Sequence, residues 1–447
     1  MVKALTRALG LILVLSQAIG FGADDNSYFA ARRWLLMGKI EGCAALLQGA
    51  APARAYVPFR QSNDFYYLTG VQAPGAFLLI DAVQRRAILF LPARISRLEQ
   101  VEGPVTVADK DARLAAGVDE VLEVSKLGEE LEKRKKGIKH LYIPLQPEET
   151  AATSRDKAQS FDAFQEHNPW DGRPAREKAL ESNLRKKLGE SISLKDLSPI
   201  LDAMRRVKDE QEIERLREAA RIGALGQMEA MRAARPGRFE YQIAAAADFI
   251  FRWNGARGQA YYPIVGSGPN SCVLHYHANT RKIEAGDIIV MDFAPDYQYY
   301  QSDITRTFPA SGRFSDEQRK VYQVVLEAQR AALARVRPGA TFQEINSAAR
   351  EVIDRAGYGV YWAHGVSHYL GMATHDVGSP APLEPGVVLT VEPGIYIPEK
   401  QLGVRIEDTV LVTKEGCEIL SRDVPKEVSD IERLMSERSP LRDLMVP

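Results

Sequence analysis

The C-terminal half of the chain carries one pattern twice, and this duplication constrains the fold more than any other feature. RPGRFEYQI at Arg235–Ile243 returns as RPGATFQEI at Arg337–Ile345, and in each copy a glycine follows the arginine by 20 residues, as Gly255 and Gly357. EAGDIIVMD at Glu284–Asp292 returns as EPGVVLTVE at Glu384–Glu392, an offset of 100 that His275 and His375 share. Each copy thus ends an apolar strand on a carboxylate and sets a histidine 9 residues before the strand's opening glutamate. A second acid follows in each, Asp303 after Asp292 and Glu407 after Glu392. Ahead of each RPG lies a stretch with apolar positions at helical spacing, DEQEIERLREAARIGALGQMEAMRAA and DEQRKVYQVVLEAQRAALARV, and the Pro-Gly is a helix stop. Two such units related by a pseudo-twofold axis put helices outside and strands in the middle, with their acids aimed at one site.

At 447 residues the chain is too long for one ordinary core, so two domains are expected. Its 45% hydrophobic and 26% charged residues fit a globular protein, and a net charge of −1 removes the electrostatic case for a nucleic-acid partner. The N-terminus reads as a signal peptide over residues 1–23: Lys3 and Arg7, an apolar run from Ala8 to Leu15, then small residues at Ala18 to Ala23. An uncleaved anchor and a buried first helix are the alternatives. The run falls short of the ~20 residues that span a bilayer, so the expectation is an exported protein, periplasmic or secreted, with no membrane contact after cleavage. Cys43, Cys272 and Cys417 are scattered and odd in number, which implies no disulfide framework.

Residues 24–195 read as one α/β domain. It opens with a helix from Tyr28 to Leu47, and GAFLLID (Gly75–Asp81) and RAILFLP (Arg86–Pro92) read as a hairpin. LYIPL at Leu141–Leu145 is a further strand, and polar residues 147–175 read as a surface excursion. The second domain spans 196–447 and ends in a helical tail after Pro425 that is expected to be peripheral.

Asp292, Asp303, Glu392 and Glu407 pose a charge problem. Between the two aspartates there is room for a strand to leave, turn near Pro295-Asp296 and return, so that both acids face one side. The strands Gly386–Glu392 and Gly403–Val412 are expected to repeat the arrangement. Four converging carboxylates without a counter-charge force protonation or prevent folding. Two divalent cations balance them, and one neutral imidazole, His368 in HGVSHYLGMATHD, completes the set. Oxygen-rich ligation with a single histidine suits Mn²⁺ better than a thiolate-type zinc site. Two metals roughly 3.5–4 Å apart can share a hydroxide and polarise a carbonyl, so metal-assisted amide hydrolysis is the indicated reaction class.

Taken singly, each of these acids reads as a turn cap or a solvated ion pair, and His364 and His375 as ordinary surface histidines. The matched strands, and four of the 7 histidines (His275, His364, His368, His375) in the same segments, favour a site. Gly266-Ser267-Gly268 lacks the lysine of a phosphate loop and reads as a tight loop, and Tyr297, Tyr299 and Tyr300 read as strand packing.

At VGSGPNSCVLHYHAN, MDF with SDITRTFP, HGVSHYLGMATHDVG, LTVEPGIYIP and VRIEDTVLV the chain resembles the aminopeptidase P and prolidase group of pita-bread metallopeptidases. RQSNDFYYLTG at Arg60–Gly70 resembles the N-terminal domain that this group shares with creatinase. The resemblance implies an α+β fold. A C-terminal pita-bread (creatinase/aminopeptidase) domain with an internal pseudo-twofold repeat would follow a smaller creatinase-like α/β domain. It implies that Asp292 binds one metal and His368 the other, that Asp303 and Glu407 bridge them, and that Glu392 is a ligand that also handles the proton of the attacking water. His275, His364 and His375 would hold the substrate and stabilise the intermediate, Arg405 would contact substrate or order the neighbouring acid, and Tyr261 is a weaker candidate beside them.

The implied activity is hydrolysis of an N-terminal Xaa-Pro bond in a peptide by two divalent metal ions per chain, Mn²⁺ first and Zn²⁺ or Co²⁺ as alternatives. Creatinase-like relatives lack the metal ligands, all of which are present here, and methionine aminopeptidase would lack the long N-terminal domain. Ser367 in HGVSH and the SDITRTFP stretch lean toward aminopeptidase P, with prolidase, restricted to Xaa-Pro dipeptides, as the alternative. A non-catalytic peptide-binding protein on the same fold is the reading from another class. The family's N-terminal domains commonly mediate assembly, which implies a homodimer or tetramer.

Overall fold

The structure is a computed structural model and describes residues 26–53, 56–190, 192–439 and 441. The expected signal peptide at 1–23 lies outside the described residues. Contacts divide the chain into two compact units, Met1–Glu148 with Arg155–Asp202, and Glu149–Ser154 with Ala203–Pro447. The division falls inside the helix Ser198–Arg206. Among the described residues, no helix is long and apolar enough to cross a membrane.

The first unit is built on a six-stranded mixed sheet in the order β4-β3-β2-β1-β5-β6. Its strands are β1 (Ala44–Gln48), β2 (Phe77–Asp81), β3 (Arg86–Leu91), β4 (Glu120–Glu123), β5 (Leu141–Ile143) and β6 (Leu194–Asp196). The expected hairpin is β2–β3, paired antiparallel from Phe77 opposite Phe90 to Asp81 opposite Arg86. The expected helix from Tyr28 to Leu47 is two elements. A helix covers Asn26–Lys39, the chain turns through Gly42 at φ 73°, and AALLQ becomes the strand β1, flanked by β2 and β5. A short apolar run fits a buried strand as well as a helix end, and here burial of Ala44, Ala45, Leu46 and Leu47 decided for the strand. The expected surface excursion splits as well. Its helix Arg155–His167 has no buried side chain among those described, whereas Glu149 is 2% exposed and belongs to the second unit.

The second unit shows the duplication as geometry. Helices Glu210–Ala233 and Glu240–Trp253 precede the first set of strands, and Asp316–Leu333 and Phe342–Arg355 precede the second. Capping boxes start three of the four, Asp209 with Glu212, Ser315 with Gln318 and Thr341 with Glu344, which satisfies orphan N–H groups at each start. Gly226 lets the first helix pair close, because a Cβ there would lie 2.2 Å from the Phe251 ring. Buried Gln227 donates to the Ile304 carbonyl at 2.7 Å, and Gln329, 102 residues on, to that of Ile406 at 3.3 Å.

The strands follow in matching order. The first copy supplies β7 (Gly258–Gln259), β8 (Ile264–Ser267), β9 (Ile288–Asp292), β10 (Pro295–Tyr297), β11 (Tyr300–Gln301) and β12 (Thr305–Pro309). The second supplies β13 (Val388–Val391), β14 (Gly394–Ile397), β15 (Leu402–Arg405), β16 (Asp408–Val412) and β17 (Cys417–Ile419). One continuous apolar core joins both copies. The C-terminal helix Val428–Ser436 is part of it, contrary to the peripheral place expected: Val428, Ile431, Leu434 and Met435 are all buried. Their helical spacing is a one-sided apolar stripe, which needs a partner surface.

Candidate metal centre

Strand register brings the acids together. In the first copy Asp292 pairs with Thr305 and Asp296 with Gln301. That register sets Asp303 opposite Ala294, two residues along from Asp292 and so on the same face. The reversal occurs at Gln298 and Tyr299, both at positive φ (48° and 73°), rather than near Pro295-Asp296. Such a two-residue loop matches the twist of its strands. In the second copy Val391 pairs with Asp408 and Gly394 with Arg405, which sets Glu392 directly opposite Glu407.

The two acid pairs are therefore not equivalent, contrary to the expected repetition. With Asp292 matched to Glu392, register matches Thr305 to Glu407 and Asp303 to Arg405. Hydrogen bonds across the axis confirm this pairing of positions. Asp303 N donates to Thr409 Oγ1 at 3.0 Å and Thr409 Oγ1 to Asp303 O at 2.8 Å; Arg405 N donates to Thr307 Oγ1 at 3.0 Å and Thr307 Oγ1 to Arg405 O at 2.8 Å. On the axis itself Thr305 Oγ1 donates to Glu407 Oε2 at 2.6 Å, and Glu407 N to Thr305 O at 3.0 Å.

Around this crossing the side chains form one pocket. The Tyr261 hydroxyl lies 2.5 Å from both Asp292 Oδ1 and Asp303 Oδ1. It has one proton to give, so one of those contacts requires a proton on a carboxyl. Arg405, 3% exposed, donates to Asp292 Oδ2 at 2.8 Å, Tyr396 Oη at 3.0 Å and Thr305 Oγ1 at 3.2 Å. His364 Nδ1 and Nε2 lie 2.8 Å from Gly365 O and from the Tyr396 hydroxyl. A carbonyl only accepts, so Nδ1 carries the proton and Nε2 accepts from the tyrosine. His368 Nδ1 sits 3.1 Å from Tyr369 O by the same logic, which aims its Nε2 lone pair at Asp303 Oδ2 (3.5 Å) and Glu392 Oε1 (3.4 Å).

The electrostatics record the crowding. Burial, then the Asp292 charge, pushes Asp303 well above the usual carboxylate range, and burial with Asp303 and Glu392 does the same to Glu407. Burial outweighs Arg405 and lifts Glu392 to about 8. Burial, then Arg405, lowers His364 to about 4, and burial lowers His368 also, so both imidazoles are neutral near pH 7.

These residues fit a divalent cation. Asp303, His368 and Glu407 each offer one ligand atom, all within 4.8 Å of one another. Glu407 Oε1 is buried with no hydrogen-bond partner, a costly arrangement for an oxygen that a cation would satisfy. The set is oxygen-rich with one neutral imidazole, as harder divalent ions prefer.

Of the sequence-predicted residues, Asp292, Asp303, Glu392, Glu407, His364, His368 and Arg405 meet in this pocket. Tyr261, the weaker candidate, sits at its centre. His375 is exposed, with its ring stacked on that of His368 at 4.0 Å, and His275 is exposed, stacked with His277 at 6.4 Å. Sequence reasoning missed Tyr396, which links Arg405 to His364, and the threonines of the crossing. Both carry a period-two signal: Tyr396 is four residues beyond Glu392, and Asp303, Thr305 and Thr307 alternate along one strand face, as do Glu407 and Thr409.

Two family models match the chain, Metallopeptidase family M24 over residues 214–414 and Aminopeptidase P, N-terminal domain, over residues 29–142. The Xaa-Pro aminopeptidase of Haemophilus influenzae is 34% identical over 413 residues, covering 85% of this chain and 89% of that one. The Xaa-Pro dipeptidase of Pyrococcus furiosus is 38% identical over 233 residues, covering 51% of this chain and 66% of that one. Among solved structures, zinc-substituted Escherichia coli aminopeptidase P in complex with product superposes with a TM-score of 0.78 at 31% identity, covering 92% of this chain and 98% of that one. Likeness along nearly the whole length, with an aminopeptidase P N-terminal domain ahead of a pita-bread catalytic unit, settles the classification: the chain belongs to the aminopeptidase P/prolidase group of metallopeptidase family M24.

Proposed function

We propose that the chain is a metal-dependent aminopeptidase that hydrolyses the bond between an N-terminal residue and a following proline, releasing the first residue. The observation that carries the reading is the Asp303–His368–Glu407 group, two buried acids and a half-buried imidazole, with its unpartnered Glu407 oxygen, in a chain similar to Xaa-Pro aminopeptidases over most of its length. Asp292, Asp303, His368, Glu392 and Glu407 would hold two divalent cations, Mn²⁺ first by the hardness of the donors, Zn²⁺ or Co²⁺ otherwise. Such cations, when bound, polarise the scissile carbonyl and acidify the attacking water.

The chain's own residues supply the remainder. Glu392, whose Oε1 lies 3.4 Å from His368 Nε2, would take the proton that the attacking water loses. Arg405 fixes Asp292 in one rotamer and, through Tyr396, the His364 ring. Exposed His275 and His375 are placed to grip the peptide and to donate to the oxygen that gains charge, while neutral His364 flanks them with both ring nitrogens engaged by Gly365 O and Tyr396 Oη. Threonine hydroxyls, with no charge of their own, lock the two acid-bearing strands together so that little reorganisation accompanies reaction.

Cleavage of peptides longer than two residues is favoured over dipeptide hydrolysis, because the similarity to the Pyrococcus dipeptidase covers half of this chain while that to the Haemophilus aminopeptidase covers 85%. A panel of Xaa-Pro dipeptides, Xaa-Pro-Xaa tripeptides and proline-free controls with Mn²⁺-, Co²⁺- or Zn²⁺-loaded protein separates these readings. Release from tripeptides is the expected result, release from dipeptides alone indicates a prolidase, and inactivity on every Xaa-Pro substrate sinks both. Export is proposed from Lys3, Arg7 and the apolar run Ala8–Leu15. N-terminal sequencing of the protein from a cell fraction outside the cytoplasm should find a start near Gly20 to Ala23. Assembly as a homodimer or tetramer is carried by the family alone, and sedimentation tests it.

A further inference from the structure

Behind the acids, the two copies meet again on equivalent positions. Thr305 and Glu407 mark the axis, so the residues that follow them, Arg306 and Asp408, correspond to each other. Neighbours on a strand face opposite ways, so Thr305 and Glu407 turn toward the acids while Arg306 and Asp408 turn away. Arg306 and Asp408 are both 0% exposed and form an ion pair at 2.7 Å. The same charged residue in both copies would set two like charges against each other here. Divergence to arginine in one copy and aspartate in the other removes that repulsion.

The arginine does more than pair. Its Nη1 donates to the carbonyls of both axis residues, Thr305 O at 3.0 Å and Glu407 O at 2.5 Å. Its Nη2 donates to Asp408 Oδ1 and, at 3.1 Å, to Val424 O, and its Nε to Pro425 O at 3.2 Å. Asp408 is fixed in turn by Ser421 Oγ at 2.8 Å, Lys426 Nζ at 2.6 Å and Gln329 Nε2 at 3.0 Å. One rigid guanidinium thus ties the backbones of the two strands that carry Asp303 and Glu407, from the side opposite the pocket. A lysine ammonium could not reproduce this fork.

We propose that Arg306, locked by Asp408 and Lys426, is a positioning residue that sets the spacing of Asp303 and Glu407 and thereby the affinity of the pocket for divalent cations. The inference rests on the assignment of those two acids as cation ligands. The test is Mn²⁺ titration calorimetry on the full chain, unmutated and as Arg306→Lys, with the melting temperature of each metal-free protein alongside. The variant should bind Mn²⁺ about 10- to 100-fold more weakly, the range for residues that orient metal ligands. Saturating Mn²⁺ should recover part of its activity. An Mn²⁺ affinity within about twofold of the unmutated protein, with only the metal-free melting temperature lowered, assigns Arg306 a structural role alone and overturns the proposal. Lys426→Met covers a failure of Arg306→Lys to fold. Lys426 is 21% exposed, and its loss leaves the Arg306–Asp408 pair in place. A several-fold weaker affinity is expected there, and an unchanged one overturns the proposal. If the unmutated protein binds no divalent cation, the ligand assignment itself fails, a result read without any variant.

Discussion

Loading the metal-free protein with Mn²⁺ should expel protons, because the acids cannot all be ionised until cations arrive. Asp292, Asp303, Glu392 and Glu407 share a pocket in which Arg405 is hydrogen-bonded to Asp292. Asp303 and Glu407 stand well above the usual carboxylate range through burial and mutual repulsion, and Glu392 is lifted to about 8. Near pH 7 Glu392, at about 8, favours its protonated form, and burial with mutual repulsion pushes Asp303 and Glu407 the same way. Cation binding should therefore release protons near pH 7, at least the one on Glu392, with the acids titrating as one coupled set. Two protons released make the apparent Kd fall about 100-fold for each pH unit of rise.

Calorimetry in paired buffers of different ionisation enthalpy counts these protons directly, at several pH values from 6 to 8.5. The count should decline toward the upper end as Glu392 loses its proton unaided. Release of less than about half a proton at pH 7 would refute the charge argument. Stability follows the same groups. Their folded-state pKa values are raised, so the contribution is fully present below the ordinary carboxylate values and is lost as pH rises through the folded ones. The metal-free melting temperature should fall from pH 5 to 8, and the gain on loading should grow over the same window.

Tyr396→Phe removes the hydroxyl between Arg405 and His364, and a hydrogen bond to a charged group of about 1.5–3 kcal/mol implies a roughly 10- to 100-fold loss in kcat/KM, with metal content unchanged on elemental analysis. Asp376 is buried, which pushes its pKa up, but Arg205 at 2.6 Å and Lys208 at 3.2 Å outweigh burial and hold it below the usual value. Its contribution is present above pH ~4 and lost as pH falls through the depressed value. Asp376→Asn should therefore cost about 3–5 kcal/mol near pH 7 and flatten the acid side of the melting curve, and an unchanged acid limb counts against the network. Gly226→Ala forces a Cβ against Phe251 and should lower stability by about 1–3 kcal/mol in denaturant melts without changing the metal affinity.

Much of the architecture was legible because duplication supplies an internal comparison. Helices matched at an offset of 102 and strands at 100 gave both the order of elements and the convergence of acids. The shift between those offsets was the part left unread. Tyr297 pairs with Tyr300 across a two-residue loop, whereas Ile397 pairs with Leu402 across four. The longer second loop restores the offset of 102 and moves Glu407 opposite Glu392, while Asp303 corresponds to Arg405. Loop length is invisible to a pattern that counts only which acid comes next. Helix-or-strand ambiguity of a short apolar run explains the misread of Ala44–Gln48 as the end of a helix. Tyr396 went unnoticed because a tyrosine in an apolar strand looks like packing until Arg405 and His364 are found on either side of its hydroxyl.

The central claim is that two unequal copies pool their acids to hold the cations that make the chain a peptidase. Chelator-stripped protein titrated with Mn²⁺, with bound metal per chain and release of the first residue from an Xaa-Pro-Xaa tripeptide followed on the same samples, addresses it directly. The expected result is no release from stripped protein and activity that rises with bound metal to a plateau near two per chain. Release by the stripped protein, or full activity in a variant such as Asp303→Ala that no longer retains metal, would contradict it.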